Sequence, residues 1–299
     1  MSSIILLVIY FGDLPCWFDL WLKSCESNKN IDWLLITDDK KKYNYPQNVK
    51  VKYMELSELK ILIDKKLNIK SNVNNPYKLC DFRPTYGILF EEYINKYDFW
   101  GHCDIDLIFG DIRSFITEDI LRKYDKILRR GHLSLYKNNS KVNNYYKLKS
   151  NYIEILEDEN NRVFDENSGI SETLDENGVK QYHDEFIADI VVERKKFMTT
   201  KLKNYKYQVF LYYNGKVYRE YLKSGKKQRE EVAYIHFQKR KYYKSNIDFN
   251  IEDKFFIGPN GFDKYYELKS KEDYITLNKG SILYTIEYHL KRIKKKYFI

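Results

Sequence analysis

Cysteine is scarce in this 299-residue chain: there are four, Cys16, Cys25, Cys80 and Cys103, none in C-x-x-C spacing. That is too few for a disulfide framework in a chain of this length, and it suits a reducing compartment, the cytoplasm. Long apolar runs are missing too. The longest, Ile4 to Phe11, has eight residues against the ~20 that cross a bilayer, and it lacks the basic start and cleavage site of a signal peptide. The expectation is a soluble or membrane-peripheral protein. No Gly-x-Gly-x-x-Gly or Walker sequence occurs, and no nucleic-acid-binding signature, so nucleic acid is not an expected partner.

What is present is a globular composition, 43% hydrophobic and 17% aromatic, enough for a sizeable core. A genome biased towards Lys, Ile, Asn and Tyr codons accounts for the 29 tyrosines. The net charge of +9 suits an anionic partner. Its densest run, Lys291-Arg292-Ile293-Lys294-Lys295-Lys296, would let the C-terminus touch anionic lipid at the inner face of the membrane.

Strand and helix signals alternate. Ile4–Phe11 reads as a buried strand, Trp17–Cys25 as a helix with a core-facing stripe, and Ile31–Ile36 as a second strand ending in Thr37-Asp38-Asp39, the end at which parallel sheets bind ligands. Val49–Met54 and Leu56–Leu67 give a third strand and a helix. This order is a nucleotide-binding α/β beginning, with helices expected on both faces of a parallel sheet. Asn75-Pro76 opens a helical segment carrying Lys78, Asp81 and Arg83, a trio that fits a surface ion-pair set or, as its place directly upstream of Asp-x-Asp favours, contacts to a ligand's ribose and phosphates. Residues 138–161, rich in Asn, Lys and Tyr, read as surface, and Phe186–Phe197 as a helix. Asn214-Gly215 and Ser224-Gly225 mark hairpin turns. The domain is expected to span 1–243, with 244–299 a lysine-rich appendage.

The central stretch is Tyr97 to Gly110, an apolar strand followed by Asp104-Ile105-Asp106. In extended backbone the two acids project to one side and can converge on one hard cation, Mn²⁺ or Mg²⁺. Further along, Phe164-Asp165-Glu166 supplies two acids as candidate bases for an acceptor hydroxyl. In the strand Val232–Gln238, Tyr234, His236 and Gln238 share one side, with Lys239 and Arg240 following as the cations a metal-bound diphosphate requires.

The segments Phe11–Pro15, Pro76–Pro84, Trp100–Asp111 and Tyr234–Lys241 resemble a bacterial family of glycosyltransferase-like proteins found with capsule and surface-polysaccharide genes. More distantly, Lys-x-x-Asp-x-Arg followed by Asp-x-Asp is similar to the metal-dependent GT-A transferases, which implies a GT-A-like α/β fold: a single Rossmann-type domain with a mixed, mainly parallel central sheet and helices on both faces. The resemblance implies Asp104 and Asp106 at the metal, with Asp106 the direct ligand and Asp104 shared with the ribose. It further implies His236 completing the metal site, Lys239 on the diphosphate, Asp81 and Arg83 on the nucleotide, and Asp38 at the base. The late block lacks the glycine-rich continuation and Lys-Pro-Trp ending of some relatives. The implied function is transfer of a sugar from a nucleotide sugar, a UDP-sugar foremost, to a glycan or lipid-linked acceptor. Two alternatives stand beside it: a phosphohydrolase or phosphotransferase using Asp-x-Asp, and a non-catalytic glycan- or nucleotide-binding protein.

Overall fold

The apolar segments Ile4–Phe11 and Ile31–Ile36 become neighbouring parallel strands in the computed structural model, which describes residues 1–183, 186–192, 197–238, 244–245 and 253–280, with Ile286 and Leu290. In chain order the strands are β1 (Ile4–Ile9), β2 (Ile31–Thr37), β3 (Val49–Tyr53), β4 (Phe99–Cys103), β5 (Leu107–Phe109), β6 (Lys126–Arg130), β7 (Leu133–Lys137), β8 (Gln181–Tyr182), β9 (Ile187–Asp189), β10 (Gln208–Tyr213), β11 (Lys216–Lys223), β12 (Lys226–Val232), β13 (Tyr234–His236), β14 (Lys244–Ser245), β15 (Lys254–Gly258) and β16 (Gly261–Lys264). Contacts divide the chain into two units. Met1–Leu14, Lys29–Ile105 and Ile116–Asp184 make the first; Pro15–Asn28, Asp106–Phe115 and Glu185–Ile299 make the second.

The first unit is a Rossmann-like α/β fold built on a seven-stranded sheet, β3-β2-β1-β4-β7-β6-β8. β3, β2, β1 and β4 run parallel, β7 is antiparallel to both β4 and β6, and β8 is parallel to β6. Alternation along β1 and β2 sends Ile5, Leu7, Leu34 and Ile36 to one face. There they meet Leu59 and Ile63 of α2 (Leu56–Leu67; α1 is Phe18–Glu26), together with Phe82, Leu89 and Trp100, in one apolar cluster. α2 begins in a capping box between Glu55 and Glu58 and ends at Asn68 in the left-handed conformation, so local signals fix both of its ends. Residues 138–161, expected on the surface, instead bury Val142, Tyr145, Tyr146, Ile155 and Leu156 in this cluster. Five apolar side chains spread among Asn and Lys are enough to dock a segment whose average polarity is high.

Gly101 lies mid-strand in β4, where the sheet closes tightly around it. A Cβ there would stand 2.3 Å from the backbone oxygen of Ser134 and 2.6 Å from Leu135 Cδ2. Gly101→Ala is therefore expected to lower the unfolding free energy by about 2–3 kcal/mol, read from the urea midpoint, because a backbone oxygen cannot move aside as a side chain does.

The second unit carries a six-stranded sheet, β12-β11-β10-β15-β16-β14, and a three-stranded one, β5-β13-β9. Both expected hairpins are present. Asn214 and Gly215 have φ of 47° and 77°, and Ser224 and Gly225 of 50° and 76°, the paired positive angles of tight hairpin turns. β15 pairs with β10, so residues read as an appendage build part of this unit's own sheet. The helix expected over Phe186–Phe197 is absent from its described part. Ile187–Asp189 is instead β9, buried and parallel to β13, because pairing along a buried strand outweighs local helical spacing in so short a run. Among the described residues, no helix is long and apolar enough to cross a membrane. The basic run Lys291–Lys296 lies outside the described residues.

Candidate functional site

In the first unit, the segment Pro76–Thr85 forms a 3-10 helix, opened by Asn75, whose side chain accepts from Tyr77 N–H, and by Pro76 at the first position. Three residues per turn stack Lys78 over Asp81. Their ion pair, Nζ to Oδ2 at 2.9 Å, has no side-chain exposure. Lys78 also donates to the carbonyls of Ile155 (2.7 Å) and Asn160 (2.9 Å), while Asp81 accepts from the N–H groups of Arg162 (2.8 Å) and Phe164 (2.9 Å). Expected on a nucleotide, Lys78 and Asp81 are instead spent inside the protein, holding the 155–164 segment.

Arg83 emerges from the same helix towards a cluster of acids. Its guanidinium donates to Gly131 O (2.6 Å) and Asp165 Oδ2 (2.8 Å), and it pairs with Asp104. Asp165 and Glu166 both lie against Gly131. A Cβ on that residue would stand 2.7 Å from Asp165 Oδ2 and 2.6 Å from Glu166 Oε1. Burial, seconded by the charges of Glu166 and Asp104 and opposed by Arg83, pushes the Asp165 carboxyl up to about 6. Asp38, at the end of β2, accepts from Gly12 N–H at 2.7 Å and so fixes the loop that follows β1.

The Asp-x-Asp segment is not extended as expected. Asp104 to Asp106 bends between β4 and β5, Ile105 turns inward at 7% exposure, and the boundary between the units falls after it. Asp104 belongs with Arg83 in the first unit and Asp106 with the second.

In the second unit, β13 is the central strand of three, and its register sets His236 opposite Leu107 of β5 and Asp189 of β9. Asp106 precedes β5 directly, and its carbonyl accepts from Phe237 N–H at 3.1 Å. His236 therefore sits between two carboxylates, with Nδ1 2.9 Å from Asp189 Oδ1 and Nε2 3.5 Å from Asp106 Oδ1. All three are 6–7% exposed. Burial alone would lower the imidazole pKa, but the two carboxylates outweigh it and raise it to about 10. The expected sharing of one side of β13 by His236 and Gln238 is seen, since Gln238 Nε2 also donates to Asp189 (3.1 Å), as does Thr200 Oγ1 (3.1 Å).

Asp189 is the functional candidate that the sequence reading passed over. Inside a stretch read as helix, nothing local marks it, and only its register beside His236 does. A carboxylate on Nδ1 makes that nitrogen the donor and directs Nε2 to the other side, as behind many metal-bound histidines. Donors bound at about 2.1 Å to one hard cation and ~90–110° apart are about 3.0–3.4 Å from each other. The 3.5 Å between Asp106 Oδ1 and His236 Nε2 is just above that spacing. Lys239, expected on a diphosphate, lies outside the described residues.

Residues 6–266 match a family of unknown function (DUF6625). The chain belongs to that family. No curated protein matches it.

Proposed function

We propose that this family member is a metal-dependent glycosyltransferase, taking its sugar from a nucleotide sugar, a UDP-sugar foremost, and giving it to a glycan or lipid-linked acceptor. The observation that carries the reading is His236 set between Asp106 and Asp189, a mixed imidazole and carboxylate donor pair with its own backing acid. Asp106 and His236 would hold Mn²⁺ or Mg²⁺. A divalent ion held there would supply charge that neutralises a nucleoside diphosphate leaving group.

The remaining roles fall to the protein's own groups. Asp189 holds the imidazole ring and fixes which nitrogen carries its proton. Asp165, with its carboxyl near 6, is ionised at neutral pH yet basic enough to take a proton from an acceptor hydroxyl as that oxygen bonds to the sugar carbon. Arg83 restrains the Asp165 carboxylate and offers a fixed positive charge beside it. Asp38 anchors the Gly12 loop at the carboxyl ends of β1 and β2, where sheets of this class receive a nucleotide base.

The test is thermal: the purified protein is melted with UDP, GDP, CMP and their sugar conjugates, each with Mn²⁺ or with chelator. One nucleotide is expected to raise the melting temperature only when metal is present, by the equivalent of about 2.7 kcal/mol at a hundredfold excess over Kd. Stabilisation that persists in chelator would leave a metal-free binding protein as the better reading.

A further inference from the structure

Val163 has φ of +59°, a left-handed backbone that a β-branched side chain resists, and it is exposed, so no packing of its own side chain holds it there. Its neighbours do. The N–H groups of Arg162 and Phe164, on either side of it, both donate to the buried carboxylate of Asp81, at 2.8 and 2.9 Å. Val163 N–H donates to Asn161 Oδ1 (3.0 Å), and Asn161 in turn donates to Tyr77 O (3.0 Å). Alternate N–H groups converging across a left-handed residue form an anion-binding nest. Here the anion is the protein's own Asp81, neutralised by Lys78, whose further donors go to Ile155 O and Asn160 O.

The residues directly after this nest are the ones that matter chemically. Phe164 is 1% exposed and its carbonyl accepts from Ile170 N–H (2.7 Å), and Asp165 then meets Arg83 and Gly131. We propose that Lys78 and Asp81 are positioning residues: by filling the nest they hold Val163 in its strained conformation, which fixes the height and direction from which Asp165 enters its site. Strain kept by an over-determined surround is the form in which proteins preorganise a reacting group. The functional weight of this device rests on the reading of Asp165 as the base, but the device itself can be tested without turnover.

Three variants decide it: Asp81→Asn, Val163→Gly and the two combined. Two readouts apply, the rate of tryptic cleavage after Arg162 and the titration midpoint of the Asp165 carboxyl by ¹³C NMR, assigned with Asp165→Asn. Asp81→Asn is expected to speed cleavage at least tenfold and to bring the Asp165 midpoint down towards the ordinary carboxylate range as the loop admits water. Glycine adopts the left-handed region freely. Val163→Gly alone should therefore leave both readouts and the melting temperature at or above wild type, and in the double variant it should restore much of the protection and the raised midpoint. A double variant no better than Asp81→Asn would overturn the proposal, since Asp81 would then be only a counter-ion for Lys78. Should Asp81→Asn fail to fold, Val163→Gly decides alone: a lowered melting temperature means no strain was held. Retained turnover in Asp165→Asn would sink the catalytic reading and leave these outcomes untouched.

Discussion

Asp165→Asn is expected to remove turnover and, at the same time, to make the protein harder to melt at pH 8. The first effect follows from the role proposed for it: losing a positioned general base costs about 10²–10⁴ in kcat, with the KM for the donor changed little because that role is at the acceptor. The second follows from its environment. A carboxyl raised from 3.8 to about 6 by burial binds its proton more tightly folded than unfolded. Its contribution to stability is thus fully present below about pH 4 and is lost as the pH climbs through about 6. Near neutral pH the ionised group burdens the fold by up to about 3 kcal/mol, taking 1.36 kcal/mol for each pH unit of displacement. Asparagine mimics the neutral form and keeps an oxygen for Arg83, so a gain of a few degrees in melting temperature is expected at pH 8, about half of that gain at pH 5 and none below about pH 4. On the proposed role, the same displacement is expected to give the wild type an acidic limb in kcat near pH 6. A variant that keeps turnover, or one that melts earlier at pH 8, would show Asp165 to be a structural partner of Arg83.

Much of this architecture could be seen in the chain because its strongest signals are local. The run at 4–11 is apolar on both faces, as an inner parallel strand must be, and Leu56–Leu67 carries caps at both ends; each forms close to where its pattern places it. Asn214-Gly215 needs only two positive φ angles, which those residue types supply. Ile187–Asp189 could not be read in the same way. Three residues fix no period, and their strand identity comes from β13, nearly fifty residues later.

The acids and bases divide along the same line. Asp165, Glu166 and Arg83 were legible as polar residues beside aromatic, buried positions, and the structure groups them around Gly131. Lys78 and Asp81 carry an identical signal in sequence, yet one turn of 3-10 helix turns them inward. Which way such a pair faces depends on the far segment that receives it, here the N–H groups of 162 and 164. Asp189 is the converse case, an acid whose importance comes wholly from the histidine that another strand lays beside it.

That histidine carries the largest expected effect on binding. Titrated with Mn²⁺ and followed by calorimetry, Asp106→Asn and His236→Gln should each lose measurable affinity, and with it the metal-dependent stabilisation by nucleotide. Asp189→Asn should weaken Mn²⁺ by about 10–100-fold, the usual result of removing the acid behind a metal-bound imidazole, because the ring keeps its ligand atom but loses its orientation and part of its basicity. The grading is the informative part. If Asp106, His236 and Asp189 were only a buried ion network, all three variants would lower stability in urea by comparable amounts and Mn²⁺ would bind none of the proteins, the wild type included. His236→Ala is the poorer choice of variant, since it would leave two carboxylates at 7% and 6% exposure without the cation they share, an uncompensated burial worth about 3–5 kcal/mol. Glutamine keeps an amide donor for Asp189 and separates loss of the metal from loss of the fold. Equal Mn²⁺ affinity in wild type and Asp106→Asn would place the metal elsewhere and take from the transferase reading the observation that carries it.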